Sequence, residues 1–234
     1  MIKRITLNEQ TVTYDLQRKQ VKNINLRVKR NGEITVSANP RVPETVIENF
    51  LYEQADRILR AVDQCEKAKQ NTPAPLEYTD GETVSVFGER KSLRVLQADQ
   101  NKAITDKDTV LLSVKDTNDR TLRQKTLQSY LDGLCREQLT ALCHQYHRFF
   151  TAEGIPFPTI RFRRMTSRWG SCHTQKATVT FNLALMDFPL EFAEYVVVHE
   201  LTHLIHPDHS KRFYDRLAKV LPDWKARRAL GKQR

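Results

Sequence analysis

Hydrophobic and polar residues alternate along the first forty positions, which is the period of a half-buried β-strand. Four segments show this alternation: residues 5–7, 12–16, 24–28 and 34–37. Asn31-Gly32 is a typical tight-turn sequence, so we predict an antiparallel β portion here. Pro43-Glu44 then begins a stretch with helical spacing that extends to Val62, and we predict one amphipathic helix for it.

The pattern beyond Pro75 predicts further strands followed by helices. A second small antiparallel set covers residues 83–87, 93–96 and 109–114, a long helix covers about 119–152, strands cover 159–165 and 176–183, a helix extends from Pro189 to Pro207, and a last helix covers about 210–221. The segment Asn71 to Pro75 is a predicted linker. We therefore expect an α+β protein with units 1–75 and 76–234, which can also pack as one domain. No internal repeat is evident in the sequence.

The composition, with 39% hydrophobic and 28% charged residues, is ordinary for a soluble globular protein. No apolar run approaches the roughly 20 residues of a membrane-spanning helix, and the N-terminus has no hydrophobic signal segment. We therefore expect a cytoplasmic protein with no membrane partner. The cysteines at 65, 135, 143 and 172 form no Cys-x-x-Cys pair, so we expect isolated thiols and no cysteine zinc site.

The net charge of +10 is concentrated towards the C-terminus. Residues 161–234 carry 14 lysines and arginines against 7 acidic residues. Such an excess attracts anions, which makes acidic peptides, phosphates and nucleic acid candidate partners. A solvated surface on a terminal helix explains the same excess equally well.

The same C-terminal segment carries the pattern His-Glu-x-x-His, at His199, Glu200 and His203. Residues four apart lie on one face of a helix, so both imidazoles can reach one metal ion. Glu200 lies beside that face and can act as general base toward a metal-activated water. The helix is mostly apolar, and its polar residues need a partner such as a metal. The sequence therefore predicts a catalytic Zn²⁺ site.

A catalytic zinc site needs a third protein ligand, for which His206 and His209 compete. His206 lies about 10 Å along the helix axis from His199, and three ligands in a row converge poorly on one ion. Pro207 ends the predicted helix, so His209 can approach from another direction. This favours His209 and leaves His206 to support a ligand or contact the substrate. No glutamate follows Glu200, which excludes a later glutamate ligand.

Several motifs together resemble the YgjP-like family of metal-dependent hydrolases, which is related to the SprT- and WLM-type zinc proteases. The motifs are Arg168-Trp-Gly-Ser-Cys172, Thr180-Phe-Asn-Leu183, Tyr195-Val-Val-Val-His-Glu-Leu-Thr-His203 and His209-Ser-Lys-Arg-Phe213. The resemblance is strongest over about 160–222 and weaker before it. The family typically has another small residue where Thr202 stands.

The resemblance implies a zincin-like α+β metallopeptidase domain that follows the N-terminal β and helix portion. It also implies that His199, His203 and His209 are the zinc ligands and that Glu200 is the catalytic base. In such enzymes a strand lies alongside the metal helix, and a peptide can add itself to that edge strand. The strand at 176–183 is the expected one.

Arg168, Cys172 and Tyr214 each have a functional and a structural interpretation. Arg168 can neutralise an oxyanion or a phosphate near the metal, or it can belong to the solvated face of a strand. Cys172 is interpreted as a small buried residue rather than a ligand or nucleophile. Tyr214 lies on the packing face of the last helix and is a candidate transition-state donor.

The leading functional prediction is zinc-dependent hydrolysis of a peptide bond, with Glu200 as the base. One alternative is hydrolysis of a phosphoanhydride, for instance in a nucleoside triphosphate, although the chain has no Walker-type loop. Another is association with nucleic acid, as a protease or a binding protein, although no recognised DNA-binding motif is present. A purely structural zinc site is disfavoured because it needs four protein ligands.

Overall fold

The structure, a computed structural model, describes residues 1–29, 31–70 and 75–232. The chain forms two compact units, Met1–Pro75 and Leu76–Arg234. The predicted linker lies outside the described residues, except for Pro75. None of the helices in the described ranges combines the length and the apolar character that crossing a bilayer requires.

The first unit contains a four-stranded sheet. Its strands are β1 (Ile2–Leu7), β2 (Gln10–Arg18), β3 (Asn25–Val28) and β4 (Ile34–Ala38), in the order β1-β2-β4-β3. The four predicted strands are therefore confirmed. Alternate residues of β4 are buried, as the period of two requires. The sheet is not wholly antiparallel, because β2 and β4 run parallel while the two outer pairings are antiparallel.

Two helices follow this sheet, where one was predicted. They are α1 (Glu44–Glu53) and α2 (Ala55–Gln70). The prediction was wrong at Gln54, where the backbone leaves helical geometry (φ −96°, ψ 8°). The hydrophobic period continues through the break because both helices bury an apolar face in the same core, with Ile47 on α1 and Ile58 on α2.

The second unit begins with a sheet that repeats the topology of the first. Its strands are β5 (Thr83–Val86), β6 (Glu89–Gln97), β7 (Lys102–Asp106) and β8 (Thr109–Val114), in the order β5-β6-β8-β7. As in the first sheet, the central pairing is parallel and the outer two are antiparallel. This corrects the prediction that these strands are all antiparallel. The two sheets share strand order and strand directions.

A long helix and a small third sheet frame the C-terminal helices. The elements are α3 (Arg120–His147), β9 (Thr159–Arg163), β10 (Gly170–His173), β11 (Thr178–Asn182), α4 (Leu190–Thr202), α5 (Lys211–Val220) and α6 (Trp224–Leu230). The predicted α3 is confirmed, and the Asp119 side chain caps it by accepting from the Leu122 N–H at 3.0 Å. The short elements β10 and α6 were not predicted. The fold class is α+β, as expected.

Candidate metal centre and active site

The His-Glu-x-x-His pattern lies at the end of α4, a helix whose surface is largely buried, and His203 is its C-cap residue. The helix begins after Pro189, as predicted, but it ends at Thr202 and not at Pro207. The Thr202 hydroxyl donates to the Val198 carbonyl at 2.7 Å, and the next backbone bonds form tighter turns, such as Leu204 N–H to Leu201 C=O. The chain therefore leaves the helix earlier than the proline signal indicated.

The structure brings His199, His203 and His209 into one cluster. The Nε2 atom of His199 lies 3.2 Å from Nε2 of His203 and 3.1 Å from Nε2 of His209. Two nitrogen ligands at about 2.0–2.1 Å from a tetrahedral zinc ion lie about 3.3–3.4 Å apart. The spacing therefore fits a zinc-sized cation.

The outer nitrogens of two of these rings are already occupied, which leaves Nε2 free to bind a metal. The Nδ1–H of His203 donates to the His206 carbonyl at 3.1 Å. The Nδ1 of His199 lies 3.3 Å from the Tyr195 hydroxyl. Partners of this kind fix the tautomer and orientation of a ligating histidine. His206 thus supports the cluster through its backbone, and among the described residues its ring is not part of the metal-ligand group.

The Phe213 ring contacts all three imidazoles. This fully buried ring on α5 lies 4.9 Å from His199, 4.6 Å from His203 and 4.9 Å from His209, measured between ring centroids. His209 itself lies in the loop before α5 and immediately precedes Ser210, the N-cap residue of that helix. The motif His209-Ser-Lys-Arg-Phe213 therefore supplies both the third imidazole and the aromatic ring that contacts all three.

Glu200 lies beside the cluster with 6% of its surface exposed. Burial raises the pKa of its carboxyl to about 8, and the positive charge of Arg168 opposes that rise. The carboxylate rests against the backbone of Gly170 in β10. The predicted base is thus removed from water and faces the strand next to the metal helix.

The edge strand at this site is β10, which corrects the expectation that the strand at 176–183 would fill this role. That strand, β11, is paired on both sides, antiparallel to β10 and parallel to β9. Its backbone groups are occupied, so a peptide cannot add to it. The strand β10 lies at the edge of the sheet, and Gly170 brings it against Glu200. Its four half-buried or exposed residues carry a weak strand signal, which explains why the sequence pattern missed it.

A buried asparagine fixes the loop that leads into β10. The side chain of Asn182 donates to the carbonyls of Met165 at 2.7 Å and Arg168 at 2.9 Å, and it accepts from the N–H groups of Met165 at 3.2 Å and Ala184 at 3.1 Å. The Asn182 backbone N–H also donates to the Trp169 carbonyl. The two motifs around 168–172 and 180–183 therefore form one structural unit.

Arg168, Cys172 and Tyr214, whose roles the sequence left open, have different environments. Arg168 is exposed, yet its charge acts on Glu200. Cys172 is half-buried, and burial, with the charge of Glu200, raises the pKa of its thiol to about 12, which makes it a poor nucleophile at neutral pH. Tyr214 stacks on Trp224 with centroids 5.1 Å apart and lies beside His209, which indicates a packing role.

A cavity of about 310 Å³ opens beside His199 and Glu200. Its lining includes Trp169, Phe192, Tyr195 and, from the end of the chain, Arg228. Sequence reasoning did not assign a functional role to Gly170, Tyr195, Phe213 or Arg228. For Tyr195 a signal existed, since it precedes His199 by four residues and therefore shares its helix face. Arg228 gave none, because its helix was not predicted.

One histidine in the last turn of a buried helix, a second at its C-cap, a third from the next loop and an adjacent buried glutamate form the arrangement of a metal-dependent hydrolase. Residues 22–233 match the family described as YgjP-like, metallopeptidase domain. The chain belongs to this family, as the sequence motifs suggested, and it is a metal-dependent peptidase by class.

Solved structures include one that is similar over part of the chain. It is the crystal structure of the metallopeptidase zymogen of Pyrococcus abyssi abylysin, with 24% identity and a TM-score of 0.36, covering 41% of this chain and 94% of that chain. No match was found among curated proteins.

Proposed function

We propose that the protein is a zinc-dependent peptidase in which His199, His203 and His209 hold the ion and Glu200 is the general base. The spacing of the three Nε2 atoms, with Glu200 buried beside them, carries this proposal. When bound, zinc supplies Lewis acidity and lowers the pKa of a water molecule to about 7. Three imidazole ligands suit zinc, as they suit other transition metals, and they disfavour the oxygen-preferring Mg²⁺ and Ca²⁺.

The chain's own residues supply the proton transfers. The Glu200 carboxylate accepts the proton of the attacking water and returns it to the amine that leaves. Its burial makes the carboxylate a stronger base than an exposed glutamate. Gly170 limits the positions that the carboxylate can take, so the base is oriented before the substrate arrives.

The substrate class we propose is a peptide or a protein segment in extended conformation. The outer edge of β10, with which no strand of the described residues pairs, offers backbone donors and acceptors next to Glu200, and a peptide can add to it as a further strand. The family supports this class, since it is a metallopeptidase family. The comparisons favour neither phosphoanhydride hydrolysis nor nucleic-acid association, and we do not propose them.

The decisive experiment is Glu200→Gln, with Glu191→Gln as a matched control at an exposed position of the same helix. Zinc content and casein cleavage are measured on all three proteins. We expect Glu200→Gln to bind zinc as the wild type does and to lose about 10²–10⁴-fold in turnover, the usual contribution of a general base. Glu191→Gln should behave as the wild type.

Two results would contradict the proposal. Wild-type turnover by zinc-loaded Glu200→Gln would remove Glu200 from the mechanism. Hydrolysis of a nucleoside triphosphate, with no cleavage of casein or of a peptide library, would replace the peptide with a phosphoanhydride.

A further inference from the structure

The cavity beside the candidate metal centre combines an apolar wall with a cationic rim. Trp169, Phe192 and Tyr195 form the wall, and Arg228 and Lys232 lie at the end of the chain that borders it. A volume of about 310 Å³ is at the lower end of the about 300–1,000 Å³ range of small-molecule sites. The cavity therefore accommodates one substrate residue rather than a long segment.

The apolar wall is tightly packed and thus formed in advance. The ring of Phe192 meets Trp169 edge-on with centroids 5.6 Å apart and stacks on Tyr195 at 6.1 Å. Gly231 lies against the Phe192 ring, since a Cβ at Gly231 would lie 2.3 Å from that ring. Because this wall is preformed, we expect the polar groups around the cavity, rather than a change in its shape, to determine which substrate residue binds.

Two neighbouring arginines on α6 have different electrostatic environments. Arg227 is neutralised, because its Nε donates to both Asp223 oxygens, at 2.8 and 2.9 Å, and it forms an ion pair with Glu194. Arg228 forms no ion pair with any carboxylate in the described part of the chain. The arginine that acts on Glu200 is Arg168, so the charge of Arg228 is not used by the base either.

Arg228 is an exposed residue of α6 and lines the cavity together with Tyr195 and His199. An unpaired guanidinium beside an apolar wall favours an anionic occupant, because a neutral side chain would desolvate the cation without compensating it. The planar fork of arginine matches a carboxylate with two parallel hydrogen bonds.

We propose that Arg228 is a specificity residue that binds a carboxylate of the substrate residue lodged in this cavity. This inference rests on the proposed function, because the cavity shares His199 and Glu200 with the candidate centre. The carboxylate has two possible sources with the same chemistry. It belongs either to an acidic side chain next to the cleaved bond or to a free C-terminus.

The first experiment measures binding without catalysis. Trp169 borders the cavity and is one of two tryptophans in the chain, so tryptophan fluorescence reports occupancy. The zinc-loaded wild type is titrated with 3-phenylpropionate and with its uncharged amide. We expect saturable binding of the acid and weaker binding of the amide. Arg228→Gln should weaken binding of the acid roughly 10–100-fold, the usual effect of losing a charged hydrogen bond.

Two further variants make this result specific. Arg228→Lys keeps the positive charge but loses the paired N–H donors of the guanidinium, so it should bind the acid with intermediate affinity. It also tests the proposal if Arg228→Gln does not fold. Lys219→Gln removes one positive charge from an exposed position on α5 and should bind as the wild type does. Equal affinity of wild type and Arg228→Gln for the acid would overturn the proposal.

The second experiment identifies the source of the carboxylate by cleavage. Peptides that differ only by Glu or Gln near the cleaved bond, each with a free or an amidated C-terminus, are compared by kcat/KM. Dependence on Glu assigns the acidic side chain, and dependence on the free terminus assigns the terminal carboxylate. Either preference should disappear in Arg228→Gln, and a preference that persists there would overturn the assignment to Arg228.

The failure of the inference and the failure of the proposed function give different results. If cleavage requires Glu200 but Arg228→Gln shows the same substrate preferences, the proposed peptidase function stands and the carboxylate site at Arg228 is excluded. If 3-phenylpropionate binds in an Arg228-dependent way but the protein cleaves no peptide, the carboxylate site stands and the proposed peptidase function is excluded.

Discussion

The backbone of Gly170 lies directly against the side chain of Glu200. A Cβ on Gly170 would be 2.5 Å from the Glu200 Oε1 atom and 2.6 Å from its Cγ, closer than real Cβ atoms approach any heavy atom. Gly170 is also held in register with Phe181 in the adjacent strand, so β10 cannot withdraw without breaking that pairing. The orientation of the candidate base is therefore fixed by a strand that is distant from it in sequence.

Gly170→Ala should displace the Glu200 carboxylate while leaving the imidazoles in place. Because an error of about 1 Å in a catalytic group costs about 100-fold in rate, we expect a loss of that order in kcat/KM. Zinc content, measured on the same preparation, should not change. A fully active Gly170→Ala variant would mean that the position of Glu200 is not set by this contact.

Gly133→Ala provides the matched control. No atom lies within 4 Å of a Cβ at Gly133, which is inside α3, so alanine fits there without displacement. Alanine in a helix interior is favoured over glycine by roughly 0.5–1 kcal/mol. We expect a small gain in the free energy of unfolding and unchanged activity. This result would show that the loss in Gly170→Ala comes from the position of the methyl group and not from replacing a glycine as such.

His209→Ala and His206→Ala should separate the two candidates for the third ligand. His209 contributes its ring to the cluster, whereas His206 contributes its carbonyl, which alanine retains. Loss of an outer partner of a metal ligand typically costs 10- to 100-fold, so loss of a ligand itself should cost about 100-fold or more in zinc affinity. Competition with a chelator measures both values, and equal affinities in the two variants would contradict the assignment.

Tyr195→Phe should weaken zinc binding without removing a ligand. The hydroxyl lies 3.3 Å from the Nδ1 of His199 and orients that ring. Its removal should cost about 10- to 100-fold in zinc affinity. The aromatic packing of Tyr195 against Phe192 and Trp224 is retained by phenylalanine, so the free energy of unfolding of the zinc-free protein should change little. A variant with wild-type zinc affinity would show that this hydrogen bond does not tune the ligand.

The parts of the site that follow from helical spacing could be predicted from the sequence. His199 and His203 share a helix face by their separation alone, and a break before His209 was enough to let that ring approach from outside. The break was predicted too late in the chain, because helical spacing continues as far as Pro207 whereas the tighter turns after Thr202 are visible only in three dimensions.

Contacts between distant segments could not be predicted. Gly170 contacts Glu200 across 30 positions of sequence, and nothing local to either residue indicates the contact. The parallel pairings of β2 with β4 and of β6 with β8 were missed for the same reason, since alternation shows which face of a strand is buried but not which strand lies beside it. Arg228 was missed because seven helical residues carry too little periodicity to be recognised.

Asn182→Ala should destabilise the second unit and also impair catalysis. With 1% of its surface exposed, Asn182 satisfies backbone groups of Met165, Arg168 and Ala184. Each buried polar group left without a partner costs about 1–3 kcal/mol, so we expect the free energy of unfolding to fall by at least about 2 kcal/mol in urea titration. Activity at temperatures where the variant is folded should also fall, because the loop that positions Gly170 is released.

Two companion variants show whether the Asn182 bonds themselves are responsible. Asn182→Asp keeps the acceptor oxygen but loses the donor to the Met165 and Arg168 carbonyls, so it should be destabilised even though its size is unchanged. Asn101→Ala removes an exposed bond from the Lys115 N–H and should cost no more than about 1 kcal/mol. If Asn182→Ala lost no more stability than Asn101→Ala, the loop before β10 would be held by its own packing, and the two motifs would not act as one unit.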